Sequence, residues 1–208
     1  MTLNPATRDK LKTVSTATLC TALFKRGLSH QFIQNVQPLN PAHPQRVAVE
    51  QCPAGSVLVI DSRKDARAAS AGSILILRMM QRGVAGVVTD GGFRDSPEIA
   101  NFNMPTYHSR PSAPTNLTVH QAMDINVPIG CGDAPVFPGD VMVGDAEGVV
   151  VIPAHMADEI AAEATEMTAF EDFVSEKVRE GRSIVGLYPP TEETSRIDFE
   201  TWRKAHNR

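Results

Sequence analysis

Arg94 and Asp95 follow two glycines, Gly91 and Gly92, at the end of an aliphatic run, in the stretch GVAGVVTDGGFRDSP over residues 83–97. Paired glycines let a backbone bend sharply and pass close to a ligand. An Asp and an Arg side by side on such a turn can share the work of binding, with the carboxylate holding a hard cation and the guanidinium holding the anionic substrate that the cation also binds. Mg²⁺, or Mn²⁺ in its place, suits this arrangement. Mg²⁺ commonly takes one or two protein carboxylates and keeps waters, which leaves positions for a 2-oxo acid to chelate through its carboxylate and ketone oxygens. There the cation acts as a Lewis acid on a developing enolate. On these residues alone, a surface turn carrying a solvated ion pair accounts for the pattern equally well. A second anion site is available where Gly72 opens a helix and the amides of Ser73, Ile74 and Leu75 point outward. In an α/β sheet, the carboxyl end of VAGVVTD and this helix start can converge on one small acid.

Other chemistries lack support. The chain has no GxxxxGK[ST], no GxGxxG after a strand, no GxSxG and no HExxH. His108 and His120 are isolated, and a packing or surface role suits each better than catalysis. Cys20, Cys52 and Cys131 are odd in number and far apart, which indicates neither a disulfide framework nor a zinc site and fits a reducing cytoplasm. A net charge of −4, from 20 basic and 24 acidic residues, gives no basic field for nucleic acid. The polar start MTLNPATRDKLKT lacks the apolar core of a signal peptide, and no run is long enough to cross a membrane.

The elements that must position Arg94 and Asp95 read as α/β. Ser15 caps a helix through TATLCTALFKR; RVAVE and SVLVID are strand-like; SAGSILILRMMQR is a buried helix with Ile74, Leu77 and Met80 at helical spacing. VAGVVTD as a strand, SPEIANF as a short helix with Pro97 in its first turn, and PTYHS as a strand complete a βαβ unit. From about residue 123 the segments DINVPI, GCGDAPVFPG, DVMVGD and VVVIP read as antiparallel strands joined by Gly, Pro and Asp turns. A long helix follows from about Ala154 to Glu180, with Ile160, Met167, Phe170, Val174 and Val178 on one face and Gly181 ending it. The length suits one domain, residues 1–188, with a tail over 189–208 whose Ile197, Phe199 and Trp202 must dock on the body or on a neighbouring subunit.

The stretch GSILILRMMQRGVAGVVTDGGFRDSPEI, followed by NVPIGCGDAPVFPGDVMVGDAEGVVVIP, resembles the RraA-like family over roughly residues 45–180. That family includes 4-hydroxy-4-methyl-2-oxoglutarate/4-carboxy-4-hydroxy-2-oxoadipate aldolases and non-catalytic regulators of ribonuclease E. The resemblance implies a three-layer β/β/α fold related to swivelling phosphohistidine domains, assembled as homotrimers or hexamers with sites between subunits. It implies a metal-dependent class II lyase on a small 2-oxo acid, an aldolase with possible oxaloacetate decarboxylation. Asp95 matches the metal ligand, Arg94 the partner of the substrate carboxylate and enolate, and Gly72 to Leu75 the pyruvate-binding amides. Glu171, or alternatively Glu176, matches a glutamate that a neighbouring subunit brings near the metal. Ser73 stands where the aldolases carry an acidic residue, and serine cannot serve as a carboxylate base; His108 or Arg110 is a candidate for the missing polarity. Two other functions suit the same scaffold: a sugar-acid lyase or dehydratase acting on another 2-oxo acid, and a regulator that binds a ribonuclease without turnover.

Overall fold

The computed structural model describes residues 44–207, which fall in one compact unit. The expected helix over 16–26 and Cys20 lie outside the described residues. The first element among the described residues is a helix, α1 (Pro44–Gln51), where the alternation in RVAVE suggests a strand. The reason lies just past the quoted segment: Val49 and Cys52 are buried three positions apart, which is helical spacing, and the Cys52 amide donates to the Ala48 carbonyl at 2.9 Å.

Six short strands then alternate between two sheets. β1 (Val57–Ile60), β3 (Gly86–Thr89) and β5 (Thr106–Tyr107) form one parallel sheet in the order β1-β3-β5. β2 (Ala69–Ala71), β4 (Gly92–Phe93) and β6 (Arg110–Pro111) form a second parallel sheet in the order β2-β4-β6. Each odd strand therefore hands the chain to its even neighbour. α2 (Ser73–Gln81) returns the chain from β2 to β3, and α3 (Ser96–Ile99) returns it from β4 to β5. In parallel sheets all carboxyl ends lie along one edge. The second sheet thus delivers Gly72, after β2, and Arg94, after β4, to a common edge.

The core joins both layers to the helices through Val49, Ala71, Ile76, Met79, Val87 and Phe93. Its helix α2 is rotated relative to the expected stripe. Ile76 and Met79 are fully buried, whereas Ile74 is 80% exposed and Leu77 faces outward with it. A helix apolar on nearly every side offers several stripes of equal hydropathy, and the sheet it meets selects one.

Two antiparallel hairpins follow, β7 (Ile129–Cys131) with β8 (Ala134–Val136) and β9 (Val141–Gly144) with β10 (Val149–Ile152). DINVPI is irregular up to Ile129, its only strand residue. The long helix α4 (Ala157–Arg179) is preceded by a 3₁₀ turn over Ala154–Met156. Its buried residues are Ala169, Phe173 and Val174, while Met167 and Val178 of the expected face are exposed. The charged tail is a further helix, α5 (Glu193–His206). Phe199 and Trp202 pack with Phe170, Phe173 and Leu187 into a second cluster, separate from the main core. Ile197 is left exposed.

Candidate active site

Gly72 precedes α2 in an extended conformation and carries no side chain to cap it. The carboxylate of Asp95 takes that place: its Oδ2 accepts from the Ser73 amide at 3.4 Å and from Ser73 Oγ at 3.3 Å. A carboxylate at the start of a helix is favoured by the free amides and by the helix dipole. A Cβ on residue 72 would lie 3.1 Å from Asp95 Oδ2, so glycine permits the approach. The amide of Leu75 already donates to the Gly72 carbonyl at 3.1 Å and adds its dipole without a free hydrogen. Among the described residues nothing accepts from the Ile74 amide.

The turn after β4 sets the other side. The Arg94 amide donates to the Ala71 carbonyl at 2.9 Å, which ties the ends of β4 and β2 together. Asp95 has φ 59 and ψ 33, a left-handed conformation that aspartate tolerates better than most residues, and its carbonyl accepts from Glu98 and Ile99 to open α3. Arg94 Nε lies 3.6 Å from Asp95 Oδ1, with the two side chains 53% and 39% exposed. The pair is open to water, so its mutual attraction is weak and both groups remain available to a ligand.

Asp90, which ends the aliphatic run, has a structural role. Its carboxylate accepts from the backbone amides of Ser62 at 2.7 Å, Lys64 at 3.1 Å and Gly132 at 3.2 Å, clasping the β1–β2 connection and the β7–β8 hairpin to the end of β3. Beneath it the hydroxyls of Ser62, Ser70 and Thr89 form a buried chain, with Ser70 Oγ 2.7 Å from each of the other two. A Cβ on Gly91 would come within 2.5 Å of Ser70 Oγ, and one on Gly92 within 2.6 Å of Ser112 Cβ. The glycine pair is required by this packing. The Arg94-Asp95 turn begins two residues later.

His108 reaches β4 from the β5–β6 connection. Its ring stacks on Phe93 with centroids 5.3 Å apart, and Nδ1 accepts from the Phe93 amide at 3.3 Å. Burial pushes its pKa down, so the neutral ring is favoured. Arg110 opens β6 opposite Gly92 and is exposed. Within the chain Glu171 accepts from Tyr188 Oη at 3.4 Å, and Glu176 accepts from Trp202 Nε1 at 2.9 Å; among the described residues neither is bonded to Arg94 or Asp95. The Cys131 thiol is pushed up to about 11 by burial and then by the charge of Asp90. Sequence reasoning did not anticipate Ser62, Ser70, Thr89 or the clasp at Asp90.

The donor set fits a Mg²⁺ ion held through Asp95. That carboxylate is half exposed, and its bonds to Ser73 are long enough to exchange. Among the described residues no three His, Cys, Asp or Glu side chains gather around one point, so such an ion would complete its shell with water and ligand oxygens.

These features define an α/β protein with two interleaved parallel sheets and an Arg-Asp turn facing a helix start. A family model described as RraA-like (Aldolase/RraA) matches residues 16–151, and the chain belongs to that family. The expected RraA-like α/β fold is borne out. A protein of Halalkalibacterium halodurans with the name "Putative 4-hydroxy-4-methyl-2-oxoglutarate aldolase" is 32% identical over 149 residues, which is 67% of this chain and 70% of that one. The uncharacterised protein MJ0644 of Methanocaldococcus jannaschii is 34% identical over 117 residues, 54% of each chain. Among solved structures, a protein from Pseudomonas syringae pv. tomato str. DC3000 superposes with a TM-score of 0.62 at 23% identity, covering 88% of this chain and 97% of that chain. Streptomyces coelicolor RraAS2, described as an unusual member of the RNase ES inhibitor RraA protein family, superposes with a TM-score of 0.60 at 23% identity, covering 83% and 97%.

Proposed function

We propose that the protein is a divalent-metal-dependent lyase that cleaves or forms a carbon–carbon bond in a small 2-oxo acid, with 4-hydroxy-2-oxo acids and oxaloacetate as the substrate class. The observation that carries this reading is the placement of Asp95 and Arg94 against the first turn of α2. The Halalkalibacterium halodurans relative, whose name includes "Putative 4-hydroxy-4-methyl-2-oxoglutarate aldolase", supports it. The amides of Ser73 and Ile74, with Gly72 giving room and Leu75 adding its dipole, would receive the substrate carboxylate. Arg94 would neutralise it and stabilise negative charge as that charge moves to the enolate oxygen. Asp95 would hold Mg²⁺ or Mn²⁺, which when bound supplies the Lewis acidity that polarises the 2-oxo group. Ser73 contributes a hydroxyl in place of a carboxylate base, so the proton acceptor must come from water or from another copy, with Glu171 of a neighbouring chain as the proposed acceptor.

The test is pyruvate release from oxaloacetate and from a panel of 4-hydroxy-2-oxo acids, with Mg²⁺ or Mn²⁺ and with EDTA. Asp95→Asn should abolish metal-dependent turnover. It is the better variant than alanine because asparagine tolerates the left-handed backbone there. Arg94→Lys, which keeps the charge and loses the planar fork, should lower kcat/KM by about 10²-fold. Full activity in Asp95→Asn, with EDTA harmless to the native protein, overturns the assignment. Metal-independent inhibition of a ribonuclease without any turnover would assign the chain to binding instead.

A further inference from the structure

We propose that His108 is a positioning residue for the Arg94-Asp95 turn, an inference that rests on the lyase reading above. The turn is strained at Asp95, with φ 59, and depends on the strand before it for its placement. That strand is only Gly92–Phe93, too short to be held by its ladder alone. Phe93 is therefore fastened from several sides: its carbonyl accepts from the Ser112 amide at 2.9 Å and from Ser96 Oγ at 2.8 Å, and the next amide, of Arg94, donates to Ala71. His108 fastens it twice more, by the ring stack and by Nδ1 on the Phe93 amide.

The source of this contact is the interleaved topology. The chain steps from the first sheet to the second at Asp90-Gly91 and again at His108-Ser109, and the Ser109 amide donates to the Gly91 carbonyl at 2.9 Å. The two crossings are thus stapled side by side, and His108 projects from one onto the strand that leaves the other. An acceptor is needed at Nδ1, so the ring carries its proton on Nε2 and is neutral, the charge state that burial favours. A ring kept solely for packing could be replaced by phenylalanine without loss.

Two substitutions separate the acceptor from the ring. His108→Phe keeps the stack and removes the acceptor; His108→Asn keeps an acceptor near Nδ1 and removes the stack. With Mg²⁺ and oxaloacetate, His108→Phe should lose about tenfold in kcat, since small misplacements of reacting groups are costly, while KM stays near the native value and Tm falls modestly because the buried Phe93 amide loses its acceptor. His108→Asn should retain kcat within about threefold, in line with restored positioning. Native kcat in His108→Phe, or equal losses in both variants, overturns the proposal. If the native protein releases no pyruvate from any substrate, the lyase reading fails and amide exchange at Phe93 decides this one. Faster exchange in His108→Phe and not in His108→Asn supports it, and equal exchange in all three proteins overturns it.

Discussion

Asp95 caps a helix and occupies a left-handed backbone position, and it adjoins Arg94 without a firm ion pair, as its proposed role of holding a cation requires. A tight pair would have neutralised both groups. The thiol of Cys131, beside Asp90, shows the opposite environment, half-buried with its Sγ 3.8 Å from the Ile60 carbonyl and its pKa pushed up to about 11. The thiolate is the reactive form, and an ordinary cysteine ionises near pH 8.5. Iodoacetamide at pH 8 should therefore label Cys131 on the order of 10²-fold more slowly in the folded protein than after denaturation, as read by peptide mass mapping. Equal rates would contradict the environment described. At this scale the candidate turn was legible because Gly91, Gly92, Arg94 and Asp95 are neighbours in sequence. The hydroxyl chain was not: Ser62, Ser70 and Thr89 are ordinary residue types spread over 28 positions, from 62 to 89, and only the sheets bring them together. His108 stood out only as an isolated histidine and a candidate for missing polarity; its contact with Phe93 carries no spacing signal.

Element type and bounds were readable where length and flanking glycines fix them, as for the helix from Ser73 and the strand ending at Thr89, although the buried face of that helix was not. RVAVE alternates like a strand, yet its buried partner Cys52 completes a helical spacing, and the bidentate pairing of Arg78 with Glu50 bridges α1 to α2. α5 hid behind its charge. Its aromatic residues lie on one side, where Phe199 meets Phe170 edge to face at 5.1 Å and Trp202 donates to Glu176. Because this cluster is separate from the main core, α5 and the end of α4 should open as a unit before the sheets do. Trp202 is the only tryptophan, so its fluorescence reports on that docking alone. In urea the fluorescence transition should precede the far-UV circular dichroism transition, and Trp202→Ala should destabilise the docked pair by roughly 2–3 kcal/mol. Coincident transitions would mean that the two clusters unfold as one.

The whole molecule exposes apolar side chains on several elements, including Ile74 at 80%, Val185 at 79% and Val150 at 63%. Surface of this kind favours association, since each Å² of apolar area removed from water contributes about 25 cal/mol. We expect the protein to sediment as an oligomer at micromolar concentration. If Glu171 serves a neighbour's site, mixing inactive Asp95→Asn with inactive Glu171→Ala subunits should restore part of the activity, because some mixed sites contain both native residues. A monomeric protein, or a fully active Glu171→Ala, would refute the shared site. Asp90 also acts at the scale of the whole chain, on its kinetics. Its three amide partners lie 28, 26 and 42 positions away in sequence. Contacts of such span form only after long loops have closed, so we expect the clasp to form late in folding. Interactions absent from the transition state govern the unfolding rate and leave the folding rate nearly untouched. Replacing Asp90 would therefore shorten the lifetime of the native state far more than it would delay its formation.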